Sequence, residues 1–252
     1  VVFGFAPAAP EVASSHIVKL HSDDGETIWS RTLAGAVFNP DDRAGWLAIL
    51  DDGDVVFANK TWSPQTSYDV LLHRFAAADG TDRWHRQYHS GGTAADDPRH
   101  MIRDTAGAHL LVAGVREGNF QALKFRAEDG ELAWAGSYDG PPGWFDAASR
   151  VIEAPDGTVI LGGYASGATT GWDAACVGFD PVDGSRRWAV DWDAGYNETE
   201  EVAALAVSPQ GDLFLGGYAF LPGTSSDMLV IRYSLGLTVG APEPAEAFRL
   251  EA

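Results

Sequence analysis

The sequence predicts an all-β fold, a β-propeller of about five four-stranded antiparallel blades, and three observations carry that prediction. An Asp-Gly turn with Trp four residues after the Gly occurs four times: Asp24-Gly25 to Trp29, Asp79-Gly80 to Trp84, Asp129-Gly130 to Trp134 and Asp183-Gly184 to Trp188, with Gly spacings of 55, 50 and 54. A second turn series, Gly53, Gly107, Gly157 and Gly211, keeps step at spacings of 54, 50 and 54. Between the turns lie short runs of Val, Ile, Leu and aromatic residues, and Asp-Gly between such runs is a strong hairpin signal because Gly accepts positive φ.

The copy from 146 to 192 shows the unit most clearly. Strands are expected at about 149–153, 158–164, 173–179 and 185–190, with hairpin turns at Pro155-Asp156-Gly157 and Asp183-Gly184. Repeats then fall at about 39–92, 93–142, 143–196 and 197–244, within a single domain covering 1–252. The first copy, about 1–38, lacks a first strand, since Val1-Val2-Phe3-Gly4-Phe5 aligns with the second-strand segment Val55-Val56-Phe57-Ala58-Asn59. The tail, about 245–252, is expected to supply it and close the ring, because Glu246-Ala247-Phe248-Arg249-Leu250 resembles Glu201-Val202-Ala203-Ala204-Leu205 and closure removes exposed sheet edges. In the fifth copy Ser234-Leu235-Gly236 replaces the Asp-Gly turn. The alternative is a piece of a longer propeller.

Composition narrows the partners. The chain has 17 Lys+Arg against 36 Asp+Glu, a formal charge of −19, which disfavours nucleic acid and anionic membranes and leaves cations and cationic partners open. No apolar run approaches bilayer-spanning length, so membrane insertion is not expected. The single cysteine, Cys176, excludes an internal disulfide and a Cys-rich zinc site and reads as a buried strand residue.

The stretches Leu20-His21-Ser22-Asp23-Asp24-Gly25-Glu26-Thr27-Ile28-Trp29 and Phe179-Asp180-Pro181-Val182-Asp183-Gly184-Ser185-Arg186-Arg187-Trp188 resemble the pyrroloquinoline-quinone-like propeller repeat. The run from 201 to 233 resembles the short propeller repeats of bacterial surface and secreted proteins. The resemblance implies that Trp29, Trp84, Trp134 and Trp188 dock between adjacent blades. It also implies an extracytoplasmic location: periplasmic, cell surface or secreted. Quinoprotein dehydrogenases of this group have eight blades, a quinone, a calcium ion and adjacent cysteines, a pattern this chain does not meet. No organic cofactor is expected, and the resemblance favours binding over catalysis.

Counting back eleven residues from Gly53, Gly107, Gly157 and Gly211 gives Asp42, Asp96, Asp146 and Glu200, an acidic series expected at one mouth of the channel. Counting back likewise from Gly80, Gly130 and Gly184 gives Asp69, Asn119 and Asp173, with Asp227 in the matching place of the fifth copy. Either series offers hard oxygen ligands for Ca²⁺ or a cationic group. The plainer reading, favoured by recurrence in every blade, is that these side chains accept hydrogen bonds from loop N–H groups and pin the loops. Trp62, Trp172 and Phe220, in the longer loops 59–68, 165–172 and 219–226, and Trp144, in a loop before strand one, break the repeat symmetry on the same face and are candidate ligand contacts. His85 and His89 would lie roughly 13 Å apart on a strand, too far to chelate together. The familiar hydrolase and nucleotide motifs are absent. The paired Gly162-Gly163 and Gly216-Gly217 lie within second strands, where close approach of neighbouring blades explains them.

The leading expectation is a non-enzymatic binding or scaffold propeller of a bacterial envelope or secreted protein. It would take a protein or glycan on the face that carries the loops before strands one and three. One alternative is a five-bladed glycoside hydrolase or lyase using Asp42, Asp96, Asp146 or Glu200, for which the discriminating feature is a pair of carboxyls whose environments push their pKa values apart. Another is a purely structural module of a longer surface protein.

Overall fold

The computed structural model describes residues 2–9, 12–34, 45–141, 143–221, 223, 226–234 and 243–250, and the side chains within 15–33 and 45–234 of these. Every named element is a strand, and they fall into five antiparallel sheets. The first holds β1 (Val2–Ala9), β2 (Val12–Leu20) and β3 (Thr27–Ala34). The second holds β4 (Trp46–Ile49), β5 (Val55–Ser63), β6 (Ser67–Phe75) and β7 (Asp82–Tyr88). The third holds β8 (Asp96–Arg103), β9 (His109–Arg116), β10 (Asn119–Arg126) and β11 (Leu132–Tyr138). The fourth holds β12 (Ala147–Glu153), β13 (Val159–Gly167), β14 (Gly171–Phe179) and β15 (Arg186–Trp192). The fifth holds β16 (Glu200–Val207), β17 (Asp212–Ala219), β18 (Asp227–Ser234) and β19 (Glu243–Leu250). These are blades of the propeller class; the Asp-Gly turns that precede the repeat tryptophans join the third and fourth strands in the second, third and fourth sheets, and β2 and β3 in the first.

The turns form for a local reason. At Gly80 φ is +69°, and the preceding Asp79 carboxylate accepts from the Thr81 N–H at 2.9 Å while Gly80 N–H donates to Ala76 O at 3.0 Å. The same Asp-to-i+2 bond recurs at Asp24, Asp129 and Asp183. The ladder carries a bulge in the matching place of all five sheets, at Lys19/Leu20, Arg74/Phe75, Lys124/Phe125, Gly178/Phe179 and Arg232/Tyr233.

The last of these bulges corrects one expectation. The C-terminal strand does not complete the first sheet. β19 pairs with β18, Arg232 opposite Glu246, as the fourth strand of the fifth sheet, and among the described residues the first sheet has three strands. Antiparallel pairing with the preceding strand needs only the short connection 235–242, whereas pairing with the first sheet would require the ends of the chain to meet. The expected loops 59–68 and 165–172 are also shorter than read. β5 and β6 stay paired out to Ser63 opposite Ser67, and β13 and β14 to Gly167 opposite Gly171.

The chain divides into two compact units, Val1–Leu110 with Arg126–Glu131, and Leu111–Phe125 with Leu132–Ala252. The core of the first gathers Ile17, Trp29, Val55, Phe57 and Phe75. That of the second gathers Ile160, Cys176, Val202, Leu213, Leu215, Ile231 and Tyr233 among others. Each such large side chain contributes about 1.5–3 kcal/mol by leaving water. Gly162 makes room for Leu205 and Val202 of the fifth sheet, as close approach of blades requires. Gly163 and Gly217 differ: a Cβ there would collide with the carbonyl oxygens of Ala147 and Glu201, beside the β12–β13 and β16–β17 bulges of their own sheets. Cys176 is fully buried, and burial pushes its thiol well above the ordinary range. A thiol-reactive dye is expected to leave the folded protein unlabelled and to label one thiol per chain in denaturant.

Candidate functional site

The two acidic series do not behave uniformly. Asp96 accepts from Ser90 N–H at 2.8 Å in the first unit. Asp146 accepts from Gly140 N–H at 2.6 Å and Ser166 N–H at 2.8 Å in the second. Both are fully buried loop pins. Asp42 lies outside the described residues. Glu200 holds the equivalent place at the start of β16 and is also fully buried, yet both of its carboxylate oxygens lack a hydrogen-bond partner. One methylene longer than Asp, it carries its charge past the loop N–H groups that an Asp would cap.

In the second series Asp69 accepts from Thr66 Oγ1 and Gln87 Nε2, each at 2.5 Å. Asn119, with its amide nitrogen turned toward them, donates to Asp139 Oδ1 at 3.3 Å and Gly118 O at 3.2 Å. Asp227 is half-buried at the start of β18, opposite Ala219. Asp173 keeps the threonine, Thr170 Oγ1 at 2.8 Å on Oδ2, and like Asp69 it has an Oδ1 that is buried without a partner. What Asp173 lacks beside Asp69 is the second donor to Oδ2, for a reason of register. Gln87 sits opposite Leu71 on β7, and the corresponding residue opposite Ala175 on β15 is Asp191, so a carboxylate replaces an amide donor.

Glu200 and Asp173 therefore face one another short of donors, joined by Asp193. One oxygen from each of the three lies within 4.8 Å of the others. Burial, reinforced by Asp193, Asp173 and Glu198, pushes Glu200 up to about 7. Asp173 is raised for the same reason, burial first and then Asp193 and Asp191. Asp146 is raised by burial against the pull of its two N–H donors. Three oxygen donors, two of them buried, suit a hard cation.

Aromatic rings accompany this cluster within the second unit. Trp172, 44% exposed, stacks on Tyr164 at 4.8 Å, and Tyr164 stacks on Phe145 at 6.2 Å. Phe145 is 44% exposed and Trp144 62%. Trp172 N–H donates to Glu198 O at 3.2 Å and Phe220 N–H to Thr199 O at 3.0 Å, so both aromatics are anchored to the backbone just before Glu200. Phe220 packs edge-on to Tyr218 at 5.7 Å. Trp62 belongs to the first unit, half-buried on β5 opposite Tyr68. Sequence reading missed Phe145, Tyr164 and Asp193. The Trp144-Phe145-Asp146 run was the available signal for the first of them.

The four repeat tryptophans split by what their indole N–H meets. Trp29 Nε1 donates to Ala77 O at 3.1 Å, and Trp134 Nε1 to Pro181 O at 3.0 Å, each reaching the sheet that follows its own. The cross-strand neighbours Lys19 and Lys124 donate to the same carbonyls. In the second sheet Arg74 occupies the equivalent Ala127 carbonyl, and Trp84 Nε1 is buried without a partner. Trp188 packs half-buried against the core of the second unit.

Comparison with known proteins places this architecture. The family model described as outer membrane protein assembly factor BamB matches residues 13–218. No curated protein sequence matches the chain. Among solved structures, BamB from Moraxella catarrhalis aligns with a TM-score of 0.56 at 14% identity, over 98% of this chain and 64% of that one. A protein of unknown function from Bacteroides caccae aligns with a TM-score of 0.54 at 12% identity, over 98% and 72%. A quinohemoprotein alcohol dehydrogenase from Pseudomonas putida HK5 aligns with a TM-score of 0.53 at 13% identity, over 96% and 41%. The chain thus spans less than two thirds of the BamB and dehydrogenase chains, and these likenesses speak to fold alone. The repeat turns, the docked tryptophans and the family match over most of the chain agree: the protein belongs to the family of outer membrane protein assembly factor BamB, built from pyrroloquinoline-quinone-like propeller repeats.

Proposed function

We propose that this chain is a non-enzymatic binding module of the bacterial envelope, located outside the cytoplasm, which takes a basic segment of a partner protein on the rings of Trp144, Phe145, Trp172 and Phe220. The observation that carries this reading is the run of exposed rings anchored beside the donor-poor carboxylates of Asp173, Asp193 and Glu200. Rings of this kind bind Lys and Arg by cation–π contact, and a net charge of −19 draws a basic segment in. Membership of an assembly-factor family supports a protein over a glycan. Ca²⁺ is the cofactor proposed for the carboxylate cluster, where it would replace the missing donors.

The test is an array of synthetic twelve-residue peptides graded in charge, printed beside a glycan array and probed with labelled protein. Basic peptides are expected to be retained, and the double variant Trp144→Ala/Trp172→Ala to bind them at least about thirtyfold more weakly, as loss of a hot-spot aromatic implies. Trp62→Ala is expected to bind as the parent does. Equal binding by the double variant, or selective retention of glycans, would overturn the reading.

A hydrolytic reading has one observation in its favour, the Glu200 carboxyl held at about 7 next to Asp173, which suits a general acid. Turnover of chromogenic glycosides that disappears in Glu200→Gln would establish it in place of binding.

A further inference from the structure

We propose a transition-metal site, of the kind that takes Zn²⁺, made by His73, His85 and Asp82 on the β6–β7 ribbon of the first unit. It is independent of the carboxylate cluster and of the aromatic rings.

The site is created by the register of the ladder. His73 on β6 stands directly opposite His85 on β7, so their side chains share a face, with ring centroids 5.4 Å apart and planes 29° from parallel. In an unbroken strand Asp82, three residues before His85, would point to the other face. The bulge that follows Arg74 pairs Phe75 with Asp82 and skips Arg83, which restores Asp82 to the face of Phe75 and His73. Its Oδ2 then lies 3.4 Å from His85 Nδ1 and 3.9 Å from His73 Nδ1. One donor atom from each of the three residues lies within 4.8 Å of the others. In a tetrahedral Zn²⁺ site with bonds near 2.0–2.1 Å, ligand atoms are about 3.3 Å apart, so the three donors, within 4.8 Å of one another, close on a metal by rotation of the two imidazoles. Phe75 stacks its ring parallel to that of His73 at 5.6 Å and so supports the imidazole.

The other blades lack this set. At the His73–His85 position they carry Val18 with Ser30, Leu123 with Ala135, Val177 with Ala189 and Ile231 with Ala247. At the Asp82 position they carry Thr27, Leu132, Arg186 and Pro244. Four blades place apolar or small residues across this pair, and one places two imidazoles and a carboxylate. Packing alone gives no reason for that departure, whereas metal ligation gives one. Two nitrogens and one oxygen select a first-row transition metal over Ca²⁺ or Mg²⁺. His85 and Asp82 are exposed on the last strand of the sheet, which leaves a fourth coordination position open to water or to a ligand atom from another molecule.

Calorimetric titration of Zn²⁺ into metal-stripped protein tests the proposal, with His85→Ala, Asp82→Asn and His89→Ala as variants and excess Ca²⁺ as competitor. One Zn²⁺ per chain is expected, unaffected by Ca²⁺ and by His89→Ala. His85→Ala and Asp82→Asn are each expected to weaken it at least about tenfold, since even residues behind a ligand have effects of that size. Melting curves in chelator are expected to be the same for His85→Ala and the parent, because the replaced ring is exposed. No stoichiometric heat, or equal Zn²⁺ binding by the parent and either ligand variant, would overturn the proposal.

Discussion

Trp134→Ala is expected to destabilise the protein by about 3–5 kcal/mol, a large share of the roughly 5–15 kcal/mol that holds a domain folded. The indole is buried, its Nε1–H donates to Pro181 O, and Gly184 lies so close that even a Cβ there would sit 2.5 Å from the ring. Removing the side chain leaves a cavity that the turn bearing Pro181 and Gly184 cannot fill. Denaturant unfolding followed by tryptophan fluorescence and circular dichroism measures the change, read as a lowered midpoint at constant slope. The phenylalanine variants separate the ring from its hydrogen bond. Trp29→Phe and Trp134→Phe each forfeit a bond worth about 1 kcal/mol, whereas Trp84→Phe removes an N–H that is buried without a partner and is expected to be neutral or stabilising. Equal losses at all three positions would show that Arg74 does not displace Trp84 from the Ala127 carbonyl.

Glu200→Gln is expected to stabilise the metal-stripped protein at pH 8 by about 1–3 kcal/mol, because it replaces a buried carboxylate with no partner by a neutral amide of the same shape. That corresponds to roughly 2–4 °C in Tm per kcal/mol for a chain of this size. The pH dependence has a definite sign. Glu200 titrates near 7 in the folded protein and near 4.5 when unfolded, so its ionised form is disfavoured by folding. The penalty is absent below 4.5, grows as the pH rises from 4.5 to 7, and is full above 7. The parent is therefore expected to lose stability across that window and the variant to lose less. With Ca²⁺ bound at Asp173, Asp193 and Glu200, the parent would recover its melting temperature at pH 8 and the variant would not. A variant less stable than the parent at pH 8 without added metal would mean that Glu200 is ionised to advantage, paired with a group outside the described residues.

Local signals carried most of the fold. Asp-Gly turns, strand-length apolar runs and the Trp after each turn are properties of a few adjacent residues, so the five blades and the repeat period could be read along the chain. The C-terminal strand could not. Glu246 to Leu250 fits either the first or the fifth sheet as a pattern, and loop length, which pairs β19 with β18, decides between them.

The candidate site divides along the same line. The acidic series at Asp96, Asp146 and Glu200 and the exposed aromatics at Trp144, Trp172 and Phe220 were visible as recurrence and its interruption. Asp96 and Asp146 accept from neighbouring loop N–H groups, whereas Asp69 accepts from the side chains of Thr66 and Gln87. What the chain could not show is which carboxylate lacks donors, because that depends on residues across the sheet. Asp191 in place of Gln87, and one extra methylene at Glu200, turn a pinned position into a cluster. The histidines make the point most sharply. Along the sequence His85 has only His89 as a near neighbour, and strand geometry separates them. Cross-strand register supplies His73, and a single bulge turns Asp82 to the same face. Sequence by itself determined the blades, their number of turns and the acidic and aromatic inventory, since those follow from local backbone preference and composition. Tertiary structure alone decided which of those side chains meet, because register and bulges set the face to which each one points.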